Sequence, residues 1–299
     1  MPTITNNRLF LISIFIAVGS SNPIAIKYAI NVGWPPFALG MLRMAFIGIV
    51  FTFWVISRGE GLIGPNREAR KYVLIAASCK AVGVILFYVA LWLIPANRAV
   101  MLSTISPVVS LVLIHFILEH ENVRSHHVAG IVTSLAGMVL LLILRNGFDG
   151  GNLSSHLTGD FLMLVSVVFN NAMVVFEKKA LIHGANPRQL LVSTNFLSVI
   201  VFALFFCLSA ESLLAVPLTG KSVGAYLYLV TVVGIFLFYY RRWLVSKLDV
   251  SYMSSFSHAG KALSILYASL LLGETVSITS LAAFILILWG TRIATGNKK

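Results

Sequence analysis

The apolar residues of this chain fall into ten long runs that are separated by short polar breaks. A helix needs about 20 apolar residues to cross a bilayer, and the runs have about that length. The breaks are rich in Gly, Pro, Asn and Asp, which end helices. The pattern therefore predicts an all-α membrane protein with ten transmembrane helices. The predicted spans are residues 9–30, 37–56, 72–93, 96–118, 128–144, 157–181, 190–208, 223–245, 251–272 and 276–294.

The composition agrees with this pattern. The 299 residues are 58% hydrophobic and 11% charged, against about 45–50% and about 25% in an ordinary globular chain. These values exclude a soluble enzyme, a disordered protein and a nucleic-acid-binding protein. Cys79 and Cys207 both lie in apolar runs without metal-ligand spacing, which favours a packing role. We expect a lipid bilayer as partner, no nucleic acid, no cofactor and no metal.

The basic residues predict the orientation in the membrane. Of the 22 Lys and Arg, fifteen lie in breaks, at chain ends or near span ends on one side of the ten spans, whereas Arg98, Arg145 and Lys221 lie on the other side. Cytoplasmic loops are enriched in Lys and Arg, so both termini should be cytoplasmic and residues 146–155 should form an external loop. The remaining four cations, Lys27, Arg43, Lys80 and Lys261, lie within spans. A bacterial inner membrane is the expected location.

An internal repeat appears when the chain is shifted against itself by 153 residues. The shift superposes Leu113 on Leu266, Glu121 on Glu274, Ala129 on Ala282 and Gly137 on Gly290, and it brings Pro107 onto Gly260. Residues 1–147 and 157–299 would then be two five-helix repeats. Because five is odd, the second repeat is inverted, as in many transporters whose site lies between the repeats. Pro107 and Gly260 are the predicted hinges, since both residue types weaken helices.

Several short motifs resemble those of EamA-type members of the drug/metabolite transporter superfamily. The motifs are the stretch from Asn22 to Lys27, Pro35 ahead of Arg43, Ala90-Leu91, Pro95-Ala96, Ser106-Pro107-Val108, Gly159-Asp160, and Leu272-Gly273-Glu274 ahead of Gly290. The resemblance implies ten helices in two inverted halves around a central cavity. It also implies transport of amino acids or other small metabolites, often outward. Gly260-Lys261 stands where the family usually has Pro-Val.

Polar side chains inside spans are the candidate substrate-binding residues, because they are costly in a bilayer and mark functional sites. Lys261 lies mid-span, and Ser254, Ser257 and His258 precede it at helical spacing. This predicts a cationic cavity that binds an anionic group. The further candidates are Lys80, Tyr88, Ser103, Ser106, Asn170 and Asn171.

For each of these side chains a structural role stays open. The lysines could pair with carbonyl or carboxylate groups, and Asn22, Asn170 and Asn171 could tie helices together instead of binding substrate. We expect Lys27 and Arg43 to anchor helix ends by reaching the membrane interface.

These features favour a secondary transporter that exports or exchanges a small polar metabolite, such as an amino acid or an organic anion with a carboxylate or phosphate. The ten acidic residues fall in breaks or near span ends, which favours exchange or facilitated diffusion over carboxylate-driven proton antiport. No Walker loop is present, so ATP is not the direct energy source. A flippase for a lipid-linked sugar on the same fold is the alternative. An intramembrane enzyme is disfavoured, because Ser254 and His258 lack an orienting acid. The substrate and the oligomeric state, monomer or homodimer, stay open.

Overall fold

The computed structural model describes residues 3–118, 125–143, 153–247 and 250–295, and within these ranges the secondary structure is entirely helical. The helices are α1 (Thr3–Asn31), α2 (Pro36–Ser57), α3 (Arg67–Leu93), α4 (Ala96–Leu102), α5 (Ser106–Leu118), α6 (Ser125–Ile143), α7 (Leu153–Ile182), α8 (Pro187–Leu208), α9 (Gly220–Val230), α10 (Leu237–Lys247), α11 (Val250–Leu272) and α12 (Ile278–Thr295). A 3₁₀ turn joins α4 to α5, and a π-helical turn joins α9 to α10. The described chain thus has ten helical segments, one for each predicted span.

Seven helical stretches of the described residues are long and apolar enough to cross a membrane, and α11 and α12 contain shorter apolar stretches. Large apolar side chains such as Phe53, Phe116 and Trp289 are exposed on the outer surfaces of these helices. In water such a surface would be unfavourable, whereas lipid tails cover it without cost. The prediction of an all-helical, multi-pass membrane protein is therefore confirmed.

Glycine and proline fix the starts of two helices. Gly33 and Gly184 have φ of 101° and 91°, a conformation that L side chains rarely adopt. Each is followed three residues later by a proline in the first turn of a 22-residue helix, Pro36 in α2 and Pro187 in α8. Proline suits this position because its missing N–H has no partner in the first turn of a helix.

The packing order places both halves of the chain around one central space. Helix α3 packs against α7 and α8, α2 against α8, α1 against α11, and α6 against α12. Buried small residues permit these approaches: an added Cβ on Gly83 would lie 3.0 Å from the Asn170 amide of α7. Helices of the first half therefore contact mainly helices of the second half.

The two predicted hinge residues lie in different backbone settings. Ahead of Pro107, the residues Ser103–Ile105 form the 3₁₀ turn, because the proline ring cannot fit into a regular α-helix at this point. Helix α11, in contrast, continues through Gly260. An added Cβ on Gly260 would lie 3.3 Å from the Ser20 hydroxyl, so this glycine permits close packing of α1 and α11. A hinge at either residue stays a prediction.

One cation of the outer set forms a buried ion pair. Arg98 lies in the first turn of α4, where its Nε and Nη2 donate to Asp160 of α7 at 2.7 and 2.6 Å. Both side chains are 2% exposed. The charge pattern of the sequence contains no sign of this pair, because the two residues are 62 positions apart.

Candidate functional site

A cavity of about 370 Å³ lies between the two halves of the chain, within the usual size range of small-molecule sites. It is bordered by residues of α1, α2, α3, α4, α7, α10 and α11, by Ser103 of the 3₁₀ turn, and by Ser106 at the start of α5. The structure brings these predicted residues together at its wall: Lys80, Tyr88, Ser103, Ser106, Asn170, Asn171, Gly260 and Lys261. Pro107 is not among the lining residues. The side chains of Ser254, Ser257 and His258, on α11, are outside the described part of the structure.

Lys261 connects α11 to the interrupted fourth span. Its Nζ donates to the Ser103 hydroxyl at 2.5 Å, and Ser103 in turn donates to the carbonyl oxygen of Val100. Ser103 is held in this position by the 3₁₀ turn ahead of Pro107. A lysine has three donors, so this contact leaves further ammonium protons for a ligand.

Lys80 is a buried residue of α3, in the first half of the chain. Its Nζ donates to Asn195 Oδ1 at 2.6 Å and to Thr194 Oγ1 at 3.4 Å, both on α8. The ammonium also lies 4.8 Å from the centre of the Phe238 ring, a cation–π distance. These contacts fix the charge at the cavity wall.

Arg43 is a cavity residue that the sequence analysis placed wrongly. Its side chain is 1% exposed and does not reach the interface. Nη1 donates to the Tyr88 hydroxyl at 3.0 Å and Nη2 donates to Asn22 Oδ1 at 3.1 Å, while the buried Nε has no partner among the described residues. The sequence did contain a signal: Arg43 lies two turns into α2, too deep for an anchor at the helix end.

Lys27, the other predicted anchor, has a structural role. Its Nζ donates to the carbonyl oxygens of Leu91 and Ile94 at 2.7 and 3.0 Å. These carbonyls lie at the C-terminal end of α3, where helical acceptors lack partners and a cation is favourable. Lys27 therefore ties α1 to α3 and does not line the cavity.

The two asparagines of α7 bond to neighbouring helical groups. Asn171 Oδ1 accepts from the hydroxyls of Ser106 and Ser110 at 2.9 and 2.5 Å, which joins α7 to α5. Asn170 Nδ2 donates to the Ser166 carbonyl oxygen at 2.9 Å. Both side chains border the cavity, so these bonds also hold their amides at its wall.

The charge of the cavity wall is one-sided. Arg43, Lys80, Arg241 and Lys261 line the space, and the described lining residues include no Asp or Glu. Arg241, which the sequence analysis counted with the cytoplasmic cations, lies in α10 and lines the cavity. Arg43, Arg241 and Lys261 form no ion pair within the described ranges. The described residues also contain no cluster of His, Cys, Asp and Glu that could hold a metal ion.

Comparisons with known proteins bear on the first half and on the whole fold. Residues 8–143 match the EamA-like transporter family. A solved structure described as "Crystal structure of protein" is similar with a TM-score of 0.68 at 21% identity, and the match covers 95% of each chain. A comparison with curated proteins gives no match. The family match confirms the resemblance drawn from the sequence motifs, and the structural match shows a shared fold.

Proposed function

We propose that this chain, which residues 8–143 identify as an EamA-type transporter of the drug/metabolite transporter superfamily, carries a small polar metabolite that bears a carboxylate or phosphate. The EamA match and the apolar helices support a multi-pass membrane transporter. The proposal adds the substrate class and the mechanism. Transport is secondary: the carrier exports or exchanges its substrate by alternating access, without ATP hydrolysis.

The observation that supports the anionic substrate is the four-cation cavity wall without a described carboxylate. A buried charge is costly unless it is paired, and the cost falls when an opposite charge enters the same space. A carboxylate or phosphate in the cavity would pair with Arg43 or Lys261 and would also accept bonds from the surrounding hydroxyl and amide groups. A cationic substrate would be repelled by the same wall.

Two inverted repeats, residues 1–147 and 157–299, are supported by contacts that the 153-residue shift relates. An added Cβ on Gly137 would approach Ile287, and an added Cβ on Gly290 would approach Ser134. The shift that superposes the two glycines also superposes Ser134 on Ile287. The Gly137–Ile287 contact and the Gly290–Ser134 contact are therefore equivalent under exchange of the two halves. Exchange of the halves likewise maps the α1–α11 contact onto the contact of α7 with α5. A pseudo-twofold relation of this kind is what inverted repeats produce.

The orientation and location belong to the same proposal. We propose that both termini are cytoplasmic, because Lys and Arg concentrate on the side of the termini. The proposed location is a bacterial inner membrane. The absence of Asp and Glu from the described cavity wall favours exchange or facilitated diffusion over proton antiport through a carboxylate in the site.

The experiment is a thermal-shift screen of the purified protein, followed by transport in proteoliposomes. The screen compares organic acids and phosphate esters with their neutral amides or alcohols, because a ligand stabilises the folded state by RT ln(1 + [L]/Kd). We expect acids to raise the melting temperature and their amides to leave it unchanged. Liposomes loaded with a stabilising acid should take up the labelled acid without ATP. Stabilisation and uptake of neutral or cationic compounds, with none by anions, would refute the proposal.

A further inference from the structure

We infer that the transported molecule carries two anionic groups, which bind at two separate subsites of the cavity. This inference rests on the proposed function and makes its substrate class narrower. The Arg43 subsite consists of Arg43, Tyr88 and Asn22; the Lys261 subsite consists of Lys261 and Ser103. All five residues line the same cavity.

The Arg43 subsite is a set of donors that lacks an anion. The guanidinium uses Nη1 and Nη2 on neutral oxygens, and its buried Nε has no partner among the described residues. Each neutral acceptor keeps a donor of its own, the hydroxyl proton of Tyr88 and the Nδ2 protons of Asn22. A buried donor without a partner costs about 1–3 kcal/mol, so the arrangement is favourable once an acceptor enters. A carboxylate fits, because arginine binds its two oxygens in parallel.

The Lys261 subsite is formed by other helices. Lys261 comes from α11, and Ser103 comes from the turn between α4 and α5. Because Ser103 donates its proton to Val100, its oxygen accepts from Lys261, and the remaining ammonium protons serve a second acceptor. The lysine is a compact charge and suits a carboxylate or a phosphate.

A single anionic group would satisfy one subsite and leave the other charge in place. Arg43 lies on α2 and has its bonds to α1 and α3, whereas Lys261 bonds to the fourth span. No described Asp or Glu of the wall can pair with the remaining cation. A molecule with an anionic group at each end pairs with both cations at once. Dicarboxylates and phosphorylated organic acids have this chemistry.

The test measures binding to the purified full-length protein by titration calorimetry. The probes are the dicarboxylates from malonate to adipate, their monoamides, and phosphoglycolate with its amide. We expect at least one diacid to bind 10-fold or more tightly than its monoamide. A preference confined to phosphoglycolate would identify phosphorylated organic acids as the substrate class. A preference for a dicarboxylate would identify dicarboxylates as that class.

Four variants locate the effect. In Arg43→Gln and in Lys261→Gln, we expect diacid affinity to fall about 10- to 150-fold, the range for a bond to a charged group, while monoamide affinity falls far less. The ratio of the two affinities should approach one. Lys221→Gln, an exposed cation at the start of α9, is the matched control and should keep the ratio of the wild type. Arg43→Lys keeps the charge and should keep part of the preference.

The ratio separates a binding role from a folding role, because partial unfolding lowers both affinities equally. Equal binding of diacids and monoamides by the wild type would overturn the two-subsite inference and leave the proposed function intact. A retained preference in both Gln variants would also overturn it. If no anion binds while the protein is folded, the proposed function itself fails.

Discussion

At the scale of single residues, Arg98 and Asp160 form a buried ion pair. The pair joins α4 to α7 through two hydrogen bonds of 2.7 and 2.6 Å. We expect Arg98→Met to destabilise the protein by about 3–5 kcal/mol, because the substitution leaves the Asp160 carboxylate buried without its cation. Thermal unfolding in detergent measures the effect. The double variant Arg98→Met with Asp160→Leu should recover part of the loss, since it removes both charges.

A second arginine–carboxylate pair serves as the matched control. Arg188 of α8 contacts Glu60 in the loop before α3, but the side chains are 26% and 20% exposed. Exposed pairs contribute about 0–1 kcal/mol, so Arg188→Met should change the melting temperature little. Equal destabilisation by the two Met variants would show that burial does not determine the strength of these pairs.

The intramembrane cations show what the sequence could and could not predict about single residues. Their burial in a membrane protein followed from the apolar runs, and Lys80 and Lys261 do line the cavity. Their partners did not follow, because Asn195 lies 115 residues after Lys80 and Ser103 lies 158 residues before Lys261. Lys27 and Arg43 have the same kind of sequence context, yet Lys27 bonds to carbonyl oxygens of α3 and Arg43 faces the cavity. Arg43 lies deeper in its helix than Lys27 does, but only the tertiary arrangement shows the partners of the two side chains.

At the scale of helices, a close crossing of α6 and α12 depends on Gly137 and Gly290. An added Cβ on Gly290 would lie 2.6 Å from the Ser134 hydroxyl and closer still to its backbone nitrogen. We therefore expect Gly290→Ala to force the helices apart and to destabilise the protein by about 1–3 kcal/mol, the usual cost of overpacking. The measurement is thermal unfolding in detergent.

Gly224→Ala is the control for the crossing. Gly224 lies inside α9, and an added Cβ would meet no atom within 4 Å. Alanine favours a helix over glycine by about 1 kcal/mol, so this variant should be neutral or more stable. A Gly290→Ala variant that is as stable as Gly224→Ala would contradict the close crossing.

Helix positions were easier to predict than helix irregularities. Ten apolar runs correspond to ten helical segments, because run length follows directly from membrane thickness. Pro107 indicated a break in the fourth span, because a proline ring cannot fit into a regular α-helix. The π-helical turn Thr231–Phe236 had no such signal. It arises where an added Cβ on Gly234 would overlap the Ile47 side chain of α2, a contact between residues far apart in the chain.

At the scale of the whole molecule, side-chain contacts join helices of both halves at one end of the helices. Near the end of α1 and the start of α2, Trp34 stacks on Tyr226 with ring centres 5.0 Å apart and donates to the Ser222 carbonyl oxygen. At the same end, Glu274 accepts from the backbone nitrogens of Ala96 and Asn97 at the start of α4. Helices from both halves therefore meet at this end, which the proposed orientation places outside.

Toward the opposite end, the cavity continues along α1 to Phe15 and along α10 to Arg241 and Leu244. The proposed topology places this end in the cytoplasm, so we expect the carrier to face inward in this structure. With Cys79 and Cys207 replaced by Ser, we expect Phe15→Cys to react with a membrane-impermeant thiol reagent in inside-out vesicles and to stay unlabelled in intact cells. An anion that binds the cavity should slow the reaction, since Phe15 lines the cavity.

Leu218→Cys is the control for sidedness. Leu218 is 88% exposed in the loop before α9, at the same end of the helices as Trp34 and Tyr226. A cysteine there should react in intact cells, since this loop is external in the proposed topology. If Phe15→Cys is labelled in intact cells and Leu218→Cys is not, the orientation in the membrane is the reverse of the proposed one. Labelling of both in intact cells would instead show that the cavity opens outward, because Leu218 would still report an external loop.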